Sequence, residues 1–203
     1  MVIVLYTPLI LSFHGPEVTG VVLTLASSGM LLGAALMSAW GGPERRVRAI
    51  VACVCIQGAA CLLAGFQPNV VLIVTAAFMF LFTVPVINAC TQTIWQRKVA
   101  PDVQGRVFAV RRMIARIATP LAYLLAGPLA DDLFEPMLAD GGALASTVGR
   151  VIGVGPGRGI AFLYVMLGVL IISAAVWTSL SPRFRRIESE LPDAVPDRAE
   201  AAA

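Results

Sequence analysis

Long apolar runs alternate along this chain with short polar and basic breaks. Val18–Trp40 contains no charged residue. Ala49–Phe66 has Gln57 as its one strongly polar side chain, and Val70–Ile94 has Asn88 and Gln92 near its end. Ile114–Ala130 is interrupted by Arg116, Pro120 and Pro128, and Ile160–Leu180 is again charge-free. A spanning helix needs about 20 apolar residues, so these five runs predict five crossings. Met1–Phe13 is a shorter sixth run. As a helix it reaches about 20 Å against a hydrocarbon core of about 30 Å, so it reads as the tail end of a helix. The pattern predicts an all-α six-helix transmembrane bundle over 1–180, with spans at about 1–13, 18–40, 49–66, 70–94, 114–130 and 160–180. Residues 181–203 mix charges with Pro182, Pro192 and Pro196, which predicts a disordered cytoplasmic tail.

Composition agrees with a bilayer as the main partner. Of the 203 residues, 58% are hydrophobic and 13% charged, against about 25% charged in a soluble domain. The formal net charge of +3 is too small to point to nucleic acid. Cys53, Cys55, Cys61 and Cys90 lie in apolar runs, where cysteine behaves as a small hydrophobe. The one histidine, His14, leaves no ligand set for a metal and no partner for a catalytic nucleophile. Nothing therefore points to a cofactor, a metal or an enzyme. Met1–Phe13 lacks the basic start and small-residue cleavage site of a signal peptide.

The placement of charge tests the number of crossings. Arg45, Arg46 and Arg48 follow the second run. Arg97, Lys98, Arg106, Arg111, Arg112 and Arg116 surround the fourth break, and Arg183, Arg185, Arg186 and Arg198 lie in the tail. The alternate breaks, Phe13–Glu17, Gln67–Asn69 and Asp131–Gly159, hold only Arg150 and Arg158. Thirteen of the fifteen basic residues thus fall on one side. Basic loops mark the cytoplasm, so both termini are expected there, in a multi-pass protein of the plasma membrane. Trp40, Trp95 and Trp177 fall at the same ends, at headgroup level.

Several positions have candidate roles. Asn88 and Gln92 are four apart and share a helix face; with Gln57 they are the candidates for a substrate pathway, the alternative being interhelical hydrogen bonding. Pro120, Gly127 and Pro128 are candidate kinks. Gly29 and Gly33, like Ala122, Ala126 and Ala130, form small faces suited to close helix packing. Gly153–Gly159 (GVGPGRG) has neither the strand nor the Lys-Ser/Thr of a phosphate loop, so it reads as a flexible lead into the last run. Leu133, Phe134, Met137 and Leu138 suggest a short surface helix in the outer break. No Asp or Glu lies inside a predicted span, so no proton-coupling carboxylate is evident.

Pro101–Arg112 (PDVQGRVFAVRR), directly after Thr91–Val99 (TQTIWQRKV), resembles the connection between the tenth and eleventh helices of major facilitator superfamily exporters. The branch is that of macrolide-efflux and enterobactin-exporter-like proteins. Ile117–Phe134 (IATPLAYLLAGPLADDLF) is similar to the eleventh helix of that branch. Gly41–Arg48 (GGPERRVR) resembles the family's short basic loop, with Glu44 where Asp is usual. The resemblance implies the C-terminal six-helix half of a twelve-helix transporter, starting inside the seventh helix. It implies export of a small drug- or siderophore-like molecule by alternating access, with an N-terminal half or a second copy as partner. It also implies gate loops at Gly41–Arg48 and Val99–Arg112, with Arg45, Arg46, Arg106 and Arg112 pairing across to the other half. The other reading is a truncated, non-transporting membrane fragment or the partner-binding half of a split transporter.

The charge asymmetry generates a topology prediction. In a cysteine-free background, Ser146→Cys is expected to react with an impermeant thiol reagent added outside intact cells, and Arg106→Cys only after permeabilisation. Outside labelling at 106, or none at 146, overturns the orientation.

Overall fold

The computed structural model describes residues 2–13, 15–66, 69–139 and 141–181. Met1, His14, Gln67 and Pro68 lie outside the described residues, as does the expected tail from residue 182. Among the described residues the protein is an all-α membrane bundle with no strand. Its helices are α1 (Val2–Leu11), α2 (Pro16–Trp40), α3 (Arg46–Phe66), α4 (Val70–Lys98), α5 (Pro101–Gly127), α6 (Glu135–Leu138), α7 (Gly149–Ile152) and α8 (Arg158–Leu180). A π-helical segment, Pro128–Phe134, joins α5 to α6. Five helices are long and apolar enough to cross a membrane: α2, α3, α4, the continuous Pro101–Leu138 rod and α8. The ten residues of α1 are apolar but span only about 15 Å.

Local chemistry sets the boundaries. Helix α2 ends at Gly41, whose φ of 74° lets its N–H bond back to Met37, the glycine stop common at helix C-termini. Helix α4 begins where the Asn69 side chain accepts a hydrogen bond from the Val71 N–H at 2.9 Å. The Val99–Arg112 segment is not a loop, contrary to the expectation from sequence. Pro101 sits in the first turn with Asp102 beside it, and fixed φ and an acid at the positive helix end both favour starting here. Arg106 and Arg112 are therefore helical residues. Arg46 is the first residue of α3, which leaves Arg45 alone of the four in the connection. The outer break also starts later than expected, because the helical path continues past Ala130 to Leu138.

Lipid tails are as apolar as leucine, so helices associate in a bilayer through close packing more than through hydrophobicity. The tightest pairs here are α3 with α8, α2 with α4, and α3 with α4. Glycines build the first two. A Cβ on Gly29 would stand 2.5 Å from the Phe78 carbonyl oxygen, and Gly33 meets Phe82 one turn on. Across α3 and α8, a Cβ on Gly58 would meet Ile172 at 2.5 Å, and one on Gly168 would meet the Gly58 carbonyl at 2.8 Å. Two tyrosines then tie the short α1 to the bundle. The Tyr6 hydroxyl donates to the Ile73 carbonyl at 2.5 Å, the Tyr164 hydroxyl to the Val2 carbonyl at 2.6 Å, and the two rings meet edge to face.

The end of the bundle where α8 begins is closed by a carboxylate. Glu135 accepts from the Gly157 N–H at 2.5 Å and the Gly159 N–H at 2.8 Å, satisfying two otherwise unpaired donors at the start of α8. Arg158 donates to the Ile152 carbonyl and lies 5.3 Å from the centre of the Phe13 ring. The glycine-rich Gly153–Gly159 turn, expected as a flexible lead, has a specific form. Gly153, Gly155 and Gly157 have φ values of 93°, 116° and 77°, a region open to glycine and costly for other residues.

Two stability outcomes follow. Gly29→Leu is expected to lower the unfolding free energy in detergent by about 1–3 kcal/mol through overpacking. Gly20→Leu, which has open space on the same helix, stays within about 0.5 kcal/mol. Equal effects would mean that α2 and α4 are not held at glycine-limited distance. Glu135→Ala leaves two helix-end donors without their acceptor and is expected to cost about 1–3 kcal/mol. Unchanged thermal denaturation of that variant would mean that the carboxylate does not hold the start of α8.

Candidate functional site

The polar side chains of α4 mark the candidate site. Asn88, Gln92 and Trp95 are spaced four and three apart, which puts them on one helix face, and all three are exposed. At the foot of this stripe the chain turns from α4 into α5. The Gln104 amide donates to the Gln96 carbonyl at 3.0 Å and the Val99 carbonyl at 2.9 Å, which satisfies carbonyls at the end of α4 and ties the start of α5 to it. The Arg111 guanidinium lies 5.6 Å from the centre of the Trp95 ring, within cation–π range.

Between the two helices lies an open groove of about 600 Å³, within the usual size range of ligand sites. Trp95 of α4 and Arg106, Val107, Val110, Arg111 and Ile114 of α5 line it, and the surface they give it is almost wholly apolar. Among the described residues no carboxylate lines it. Arg106 thus joins Arg111 in this groove. Arg112, six residues beyond Arg106, is turned by roughly 240° around the helix and leaves on another face.

The remaining candidates are not gathered here. Gln57 is half-buried on α3, which packs on α4 and α8, and it lines neither this groove nor the second cavity. Arg45 is exposed in the α2–α3 connection and Arg46, at the start of α3, is half-buried. Pro120 lies inside α5. Gly127 and Pro128 stand at the junction where the α-helix gives way to the π-helical segment, a local adjustment by which a membrane helix re-pairs backbone groups freed by proline. Ala126 and Ala130 are buried and Ala122 half-buried, so these alanines form the packed side of the rod. The second cavity, of about 80 Å³, lies beneath α1 and is apolar. Tyr6, Tyr164 and Cys61 are among its walls, with both hydroxyls already bonded to backbone. Among the described residues no cluster of His, Cys, Asp and Glu could hold a metal.

Sequence reasoning passed over Gln104, Arg111, Glu135 and the tyrosines. The spacing of Trp95 from Asn88 and Gln92 was available as a signal, since 88, 92 and 95 form one helical stripe. The partners of Glu135 lie 22 and 24 residues away, beyond any local pattern.

No family model matches the chain, and no solved structure matches it. Curated relatives do. A macrolide efflux protein A from Streptococcus pyogenes is 30% identical over 110 residues, which is 53% of this chain and 27% of that protein. A macrolide efflux protein A from Enterococcus faecalis is 30% identical over 98 residues, 47% of this chain and 30% of that protein. The chain therefore covers less than a third of the length of either relative. Over about half of its own length it is similar to these efflux proteins.

Proposed function

We propose that the chain is the second six-helix half of a membrane exporter, moving a small amphiphilic organic molecule by alternating access together with an N-terminal half. Similarity to the macrolide efflux proteins supports export. The single structural observation behind the two-half reading is the bare face of α5. The Pro101–Leu138 rod is the least covered of the five long helices. Gly105, Arg112, Arg116, Thr119 and Tyr123 form one stripe along it by helical spacing, and all are exposed. Arginines and a tyrosine at or near membrane depth face protein or a water-filled cavity rather than lipid. A second six-helix body against this stripe supplies that environment, and rocking of the two bodies around a midplane site is the transport movement of such folds.

In this reading Arg45, Arg46 and Arg112 meet acids or helix C-termini of the other half in one state, since guanidinium groups pair well with both. Asn88 and Gln92 line the pathway. The cytoplasmic position of both termini and of this gate belongs to the same proposal.

The test is transport in proteoliposomes under an imposed proton gradient, with a panel of dyes and amphiphilic drugs. The chain co-reconstituted with a separately expressed N-terminal half is expected to transport, and the chain alone is not. Arg112→Ala is expected to lower the rate about tenfold, the weight of one charge-assisted hydrogen bond, at unchanged protein content. Transport by the chain alone replaces the N-terminal half with a second copy; transport by neither preparation overturns the reading.

A further inference from the structure

We propose that the apolar cavity beneath α1 is a site for the methyl end of a lipid acyl chain, which enters from the middle of the bilayer. The proposal stands apart from the transport reading. The cavity holds about 80 Å³ and is walled by residues of α1, α2, α3, α4 and α8. Small side chains make the space: Ala26 of α2, Ala60 and Ala64 of α3, and Ala76 and Ala77 of α4 all stand in the wall. The wall also selects the occupant. The Tyr6 hydroxyl is bonded to the Ile73 carbonyl and the Tyr164 hydroxyl to the Val2 carbonyl. Among the described lining residues the other polar side chain is the Cys61 thiol, a weak donor. A buried water needs two to four polar partners, and a polar ligand without partners gives up its hydration uncompensated, so the cavity holds neither. Left empty, it forfeits dispersion contacts along its lining. Hydrocarbon restores them. A dry apolar cavity of about 150 Å³ holds benzene, and by that ratio this one takes about three carbons, a chain end rather than a drug-sized body.

Position names the source of that hydrocarbon. Ile3 and Leu23 are the exposed members of the lining, so the mouth lies between α1 and α2 on an apolar flank of the bundle. Ala26 is eight residues into the charge-free run that begins at Val18, and Phe80 is ten into the run that begins at Val70. These are about 12 and 15 Å along their helices, and the midplane of a hydrocarbon core about 30 Å thick lies about 15 Å deep. Acyl chains end at that depth, so their methyl groups are the hydrocarbon beside the mouth. A seated chain end adds packing between the short α1 and the helices around it.

The two buried tyrosines make the site measurable. The chain has three tyrosines, Tyr6, Tyr123 and Tyr164, so Tyr123→Phe in a deuterated chain labelled with 3-fluorotyrosine leaves fluorine signals from the cavity wall alone. The chain is placed in nanodiscs of phosphatidylcholine that is deuterated except at its terminal methyl groups. Saturation of those methyl protons is expected to attenuate the Tyr6 and Tyr164 fluorine signals, because the transfer acts only across contact distances. Ala64→Val with Ala76→Val fills the cavity and is expected to abolish the attenuation. Ala35→Val with Ala39→Val, at exposed positions of α2, is expected to leave it unchanged. If the double filling variant does not fold, Ala76→Val alone is expected to reduce the attenuation. No attenuation before filling, or equal attenuation after it, overturns the proposal. Loss of the attenuation on adding an amphiphilic drug from the transport panel also overturns it, by making the cavity part of a substrate pathway. The measurement reads no transport, so its outcome and that of the transport assay are independent.

Discussion

Everything in this bundle depends on how closely two helix backbones approach where no side chain stands between them. In water, burial of apolar surface would drive the helices together; in lipid that term largely vanishes. What remains is van der Waals contact, strong only at short range. Gly29 and Gly33 set α2 on the backbone of α4, and Gly58 and Gly168 set α3 on α8. Helix α3 also packs on α4, so α2, α4, α3 and α8 form one connected unit. The open groove and the bare face of α5 are defined against that unit.

The crossings were legible in the sequence because bilayer thickness imposes a length that any charge-free run must match. Val18–Trp40 needed no more than counting. The small faces of α2 and of Ala122, Ala126 and Ala130 were legible for a related reason: spacing on a helix is fixed, so small residues four apart must share a side. The glycine contact between α3 and α8 was not, because Gly58 and Gly168 are 110 positions apart and each looks like an isolated glycine. The start of α5 was misjudged for a different reason. The basic residues of Pro101–Arg112 suggested a loop, but arginine is a good helix former, and Pro101 with Asp102 favours initiation. Charge says nothing about local conformation.

The candidate site was half legible. Asn88 and Gln92 stood out as polar groups in an apolar run, and the structure keeps them exposed on one face. The basic partner of that face belongs to another helix. Its position depends on the Gln104 amide holding the end of α4, and a glutamine in a charged segment gives no sign of such a task. The single list of basic residues separates in space into a groove pair, Arg106 and Arg111, and an outer-facing Arg112, because 3.6 residues per turn scatters neighbours around the helix.

The carboxylate bond has a mechanical consequence. Through Glu135 one end of the Pro101–Leu138 rod is pinned to the start of α8, and through Gln104 the other end is tied to the end of α4. A rod of 38 residues is roughly 57 Å long. Tied at both ends and bare between them, it acts as a strut: a displacement of the start of α8 is carried along the helix to the end of α4.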